Sequence, residues 1–159
     1  EVSWAPEMCI RDSGRGMDRV QRSIEKFEGA LGKFRELVEG SLLPSLLRED
    51  ILVEVGSKRF EYTYEAMWKA LKEVLRSRGI ECYSPKGCLQ EGLKEGLVPE
   101  EWEETLAQMV KLRNELVHIY DEERARRLYK EISRTQVLQA FQRVLDNLKK
   151  AIATGEEEK

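Results

Sequence analysis

The sequence predicts an all-α fold, an up-and-down bundle of four or five helices. Apolar residues recur every three or four positions over long stretches, the period of a helix with one buried face. Charged residues make up 36% of the chain and aromatics 8%, a balance that suits a helical domain better than a β-sandwich. No stretch reads convincingly as a strand, and there is no internal repeat.

The first helix is expected over about residues 18–39. Val20, Ile24, Phe27, Leu31, Phe34 and Val38 form its stripe, and Gly40 stops it. Residues 41–48 contain Pro44 and read as a connector or short helical turn. The second helix, about 49–78, carries Val53, Phe60, Tyr64, Met67, Leu71 and Leu75 and ends at Gly79. Gly56-Ser57 weakens its middle and is expected to kink or split it. Ser84-Pro85 signals a third, short helix: a capping hydroxyl, then proline at the first helical position. Pro99 opens a fourth helix carrying Trp102, Leu106, Met109, Val110 and Val117. A fifth is expected after Asp121, its N-cap, running to about Thr154 with Ala125, Leu128, Ile132, Phe141, Val144, Leu145 and Leu148 inward.

The chain fits one domain, long enough to bury a real core. Residues 17–154 are expected to form it, with 155–159 a frayed acidic tail. Residues 1–16 are set apart. Met8-Cys9-Ile10-Arg11-Asp12-Ser13 resembles one translated frame of a sequencing adapter, so this segment reads as non-native or disordered, with the native start at Met17.

Bulk properties exclude several functions. A net charge of −3 does not announce a nucleic-acid binder, so any RNA or DNA contact must come from a local basic patch. No apolar run approaches the roughly 20 residues that span a bilayer, so no membrane association is expected. Cys9, Cys82 and Cys88, with one distant histidine, make no zinc pattern, and so sparse and odd a count points to a reducing cytosol. Gly56-Ser57 resembles the opening of a nucleotidyltransferase active site, but no Asp-x-Asp follows. There is no phosphate-cradling glycine loop either. The chain is not expected to transfer nucleotides itself, nor to carry a metal or cofactor.

The stretch most suggestive of chemistry is Arg113-Asn114-Glu115-Leu116-Val117-His118-Ile119-Tyr120-Asp121, which holds the sole histidine. Arginine grips phosphate through a planar fork, and histidine titrates near neutral pH. On an ideal helix Arg113 and His118 lie ~140° apart around the axis and ~7.5 Å along it. Asn114 and His118 share one face, and Arg113 and Tyr120 share another. A site using all four needs a distorted helix end or a cleft between two copies, which favours a homodimer. The competing reading is a surface helix whose arginine pairs with a glutamate and whose histidine caps the C-terminus. Arg124, Arg127, Lys130 and Arg134 cluster just after the motif as a candidate RNA-binding group; Arg127, Lys130 and Arg134 follow helical spacing and either track a phosphate backbone or belong to a solvated face with Glu123–Arg127–Glu131 pairs. Tyr62 and Trp68 fall off the buried stripe of the second helix and are free to line a groove or an interface between copies.

Four segments occur in a telling order: Arg59-Phe60-Glu61-Tyr62-Thr63-Tyr64-Glu65-Ala66-Met67-Trp68-Lys69, Ser84-Pro85, Gly92-Leu93-Lys94-Glu95-Gly96-Leu97, and Arg113-Asn114 through His118-Ile119-Tyr120-Asp121-Glu122. Together they resemble the nucleotidyltransferase substrate-binding protein family, a branch of the HEPN superfamily, over about residues 18–148. The resemblance implies a dimerising helical bundle that associates with a small separate nucleotidyltransferase. It implies one of two functions. Either the chain is a metal-independent endoribonuclease toxin, with Arg113, Asn114 and His118 catalytic, silenced when its partner adds AMP to Tyr120; or it is a non-catalytic substrate-binding subunit of a two-component nucleotidyltransferase.

Overall fold

The computed structural model describes residues 4–119 and 121–157, and side chains over 18–119 and 121–154. It contains seven α-helices and no strand among the described residues. They are α1 (Trp4–Glu39), α2 (Leu42–Leu46), α3 (Glu49–Ser77), α4 (Pro85–Lys94), α5 (Glu103–Leu116), α6 (Glu122–Ile132) and α7 (Thr135–Glu157), with a 3-10 turn over Glu100–Trp102 before α5. The fold is all-α, as the periodicity predicts.

The expected stripes supply most of the core, with corrections at their ends: Trp102, Val110 and Ala125, expected inward, are only half-buried. Val20, Ile24, Phe27, Leu31 and Phe34 are buried on α1, but Leu37 rather than Val38 completes the row. All six residues expected inward on α3 are buried. Partners along α1 and α3 run in opposite senses: the Arg59 guanidinium donates to Lys33 O at 2.7 Å, and Thr63 Oγ1 lies 3.1 Å from Ala30 O. The two helices are therefore antiparallel. Arg35 on Gln142 and Lys149 on Glu28 set α7 antiparallel to α1 in the same way. Phe141 of α7 fills the junction, with ring centroids 6.2 Å from Phe27, 6.2 Å from Phe34 and 5.8 Å from Phe60. Edge-on aromatic clusters of this kind add to the area they bury and fix one packing of the three long helices.

Four expectations need revision. First, α3 is unbroken through Gly56-Ser57. Gly56 is buried, and a Cβ there would meet Tyr129 Cε1 at 2.2 Å. The glycine serves a close approach between α3 and α6, not a kink. Second, the expected fifth helix is two. Ser133 (φ −91°, ψ 6°) leaves helical geometry, and its N–H bonds Tyr129 O at 2.9 Å, which turns the chain between α6 and α7. Third, Val117 is 53% exposed, because α5 ends at Leu116 and the buried row there is Leu106, Met109, Leu112 and Leu116. Fourth, Cys82 and Cys88 are joined in a disulfide, Cα atoms 5.2 Å apart, where the sparse cysteine count suggests thiols kept reduced.

Local signals elsewhere hold. The Ser84 hydroxyl accepts from Gly87 N at 3.0 Å with Pro85 at the first helical position, and Gly79 and Gly96 (φ +80° and +74°) turn the chain out of α3 and α4.

Candidate functional site

Arg113 sits in the last turn of α5 and reaches across to α3. Its Nη2 lies 3.3 Å from Glu65 Oε1, and both side chains are about one-third exposed. Such a pair contributes about 1 kcal/mol or less, so it positions the guanidinium more than it stabilises the fold. Glu65 is shared: its other oxygen accepts from Trp68 Nε1 at 3.1 Å and lies 3.8 Å from Lys69 Nζ. Arg113 Nε is shielded from solvent without a partner among the described residues. Beneath it, burial pushes the Tyr64 hydroxyl up to about 12, an effect that Arg113 opposes and Glu65 reinforces. Tyr64 therefore stays a neutral phenol throughout the physiological range. Glu65 is the site residue that sequence reasoning missed. Forty-eight positions separate it from Arg113, and no local pattern announces the pairing.

His118 is not on α5. The helix ends two residues earlier, and the His118 N–H closes a tight turn onto Glu115 O at 3.0 Å. The His118 and Asn114 side chains are exposed. No hydrogen bond links Arg113, Asn114 and His118 among the described residues. Within one chain, the arginine is engaged on α3 while the histidine stands free at the helix end. Tyr120 lies outside the described residues. The helical face it is expected to share with Arg113 is not supplied by α5, which stops at Leu116.

Asp121 then caps α6, accepting from Arg124 N at 2.7 Å, as the sequence predicts. Arg124, Arg127, Lys130 and Arg134 follow it. Arg124, Arg127 and Lys130 are exposed along α6, and Arg134, just past its end, is exposed and held 2.8 Å from Glu131. Beside Asp121 lies a cleft of about 420 Å³ between α3 and α6, lined by Asp50, Glu54, Glu61, Asp121 and Glu122 against Lys58 and Arg126. The segment carrying Ile119 thus borders an acidic surface, while Arg113 is paired on Glu65, one helical turn beyond Glu61 along α3. Among the described residues, no group of three His, Cys, Asp or Glu side chains is arranged to hold a metal ion, and no helix is long and apolar enough to cross a membrane.

An all-α bundle whose last α5 turn presents Arg113-Asn114, with an exposed histidine two residues past the helix end, defines a helical domain with a candidate polar site at one helix end. Residues 18–150 match the family described as nucleotidyltransferase substrate binding protein like, and the chain belongs to that family. The chain is also similar to a protein of Thermus thermophilus whose crystal structure is known. The two are 32% identical, with a TM-score of 0.65, over 77% of this chain and 98% of that one. No curated protein matches.

Proposed function

We propose that this protein is a cytoplasmic, homodimeric partner of a small nucleotidyltransferase, and that it is a metal-independent endoribonuclease of a toxin–antitoxin pair. The observation that carries the reading is the end of α5: an exposed imidazole at His118, an exposed amide at Asn114 and a guanidinium at Arg113 lie within six consecutive residues. His118 takes the proton of an RNA 2′-OH. The 2′ oxygen bonds to the adjacent phosphorus, the bond from phosphorus to the 5′ oxygen breaks, and that oxygen leaves with a proton from solvent. Arg113 stabilises charge on the phosphoryl oxygens, and Asn114 orients the imidazole or the phosphate. The partner silences the site by AMP transfer: the Tyr120 oxygen bonds to the α-phosphorus of ATP, the α–β phosphoanhydride bond breaks, pyrophosphate leaves and the phenol proton goes to solvent, which places a bulky anion near the site.

The test is RNA cleavage in the presence of a chelator. Wild type should yield 2′,3′-cyclic phosphate ends, and His118→Ala should lose about 100-fold or more in rate. The Glu65–Arg113 pair favours a second reading, a non-catalytic substrate-binding subunit, because a guanidinium already neutralised must exchange partners to receive RNA. Equal cleavage by wild type and His118→Ala removes the nuclease and leaves that second reading. The dimer is checked by light scattering, which should give twice the 18.5 kDa chain mass. Intact-mass spectrometry with the partner and ATP checks the switch: an equal adduct on Tyr120→Phe removes this tyrosine from it.

A further inference from the structure

The chain has a second surface with a chemistry of its own. Between α1 and α3 runs an open groove of about 700 Å³. Arg19, Arg22 and Lys26 line it from α1, and Lys69 and Lys72 line it from α3. Their spacing on α1 puts them on one face over ~10 Å of helix. Trp68 lies in the groove, half-buried, with Lys72 Nζ 6.0 Å from its ring centroid and 5.9 Å from that of Tyr83. Five cations face a single lining carboxylate, Glu73, and only Lys69 among them has a further carboxylate beside it, Glu65 at 3.8 Å, among the described residues. In a chain of net charge −3, so local an excess is unexpected from composition.

We propose that this groove binds a single-stranded nucleic acid, with its phosphates along the α1 cations and one base against Trp68. The cationic row is longer than a single phosphate group, so it matches consecutive phosphates rather than one anion. A half-buried aromatic among cations is what holds an unpaired base, whatever its identity. A groove between two packed helices admits a strand and not a duplex, whose bases face inward. Glu65 joins this groove to the site above, since it contacts Trp68, Lys69 and Arg113. A strand lying on Trp68 is therefore one side chain away from Arg113. The inference deepens the proposed function by supplying a track for its RNA, but binding here does not require cleavage.

The test uses the full chain and a fluorescent 12-nucleotide 2′-O-methyl RNA, which has no free 2′-OH to attack. Anisotropy should show binding that weakens steeply with salt. Lys26→Glu/Lys72→Glu should raise Kd at least tenfold and reduce the slope of log Kd against log salt by about 1 to 1.5. Trp68→Ala should weaken binding about tenfold, and Trp68→Phe, which keeps a ring, should retain most of it. Because the 2′-O-methyl strand cannot be cleaved, its binding is read whether or not the cleavage assay succeeds, which separates this proposal from the nuclease reading. Three results overturn the groove: no binding by wild type; equal loss from Arg143→Glu/Lys150→Glu, exposed cations of α7 outside it; or competition by ATP as effective as by the unlabelled 12-mer.

Discussion

The basic groove and the acidic cleft are built on the same helix. The C-terminal half of α3 offers Lys69 and Lys72 to a groove shared with α1, whereas its N-terminal half offers Asp50, Glu54 and Glu61 to a cleft shared with α6. The end of α5 lies between them. Arg113 turns toward Glu65 on the basic side, and the chain past His118 runs along the acidic side. Within the net charge of −3 there are thus two opposed local fields, each screened from the other beyond about 10 Å at moderate salt. On the proposed reading, such fields would steer polyanions to one end of the site and cationic groups of a partner protein to the other.

The largest structural effect should come on the acidic side. Gly56→Ala drives a methyl into the Tyr129 ring, so α3 and α6 must part or the ring must leave its place. A loss of roughly 3 kcal/mol in denaturant unfolding is expected. An unchanged midpoint would show that α6 is loosely held there. On the basic side, Cys82→Ser/Cys88→Ser opens a loop with a sequence separation of six. It should cost about 2 kcal/mol or more relative to the oxidised protein, and less relative to a fully reduced one, against which only the burial of serine hydroxyls in place of Cys82 and Cys88 remains. That pair ties down the segment carrying Tyr83 beside Lys72, so the same variant should also weaken binding of the 12-mer. The smallest effect belongs to Asp121→Ala, which removes the α6 cap and should cost about 1 kcal/mol. Hydrogen exchange should quicken at Arg124 while the amides of α1 and α3 keep their protection. Uniform quickening would mean that the two sides do not open separately.

Much of this is legible in sequence. The stripes of α1 and α3 are pure periodicity, and the starts of α4 and α6 are capping chemistry at Ser84 and Asp121. The motif residues stand out because an arginine, a lone histidine and a tyrosine at close spacing are rare together. What is not legible depends on contacts between distant segments. Gly56 reads as a helix breaker because its reason, the Tyr129 ring, lies far along the chain. The break at Ser133-Arg134 is hidden by apolar residues that continue on both sides of it. Arg19, Arg22 and Lys26 do share a helical face by spacing alone, and Trp68 does fall off the core stripe. Only the antiparallel pairing of α1 with α3 brings those two signals into one groove.

The contact between Gly56 and Tyr129 also has a consequence over evolutionary time. The two positions share a volume that holds one ring and no extra methyl. Neither can change size alone without opening a void or forcing a collision. Across the family they should therefore vary as a pair: a relative that carries alanine or a larger residue at the first position should carry a smaller side chain than tyrosine at the second.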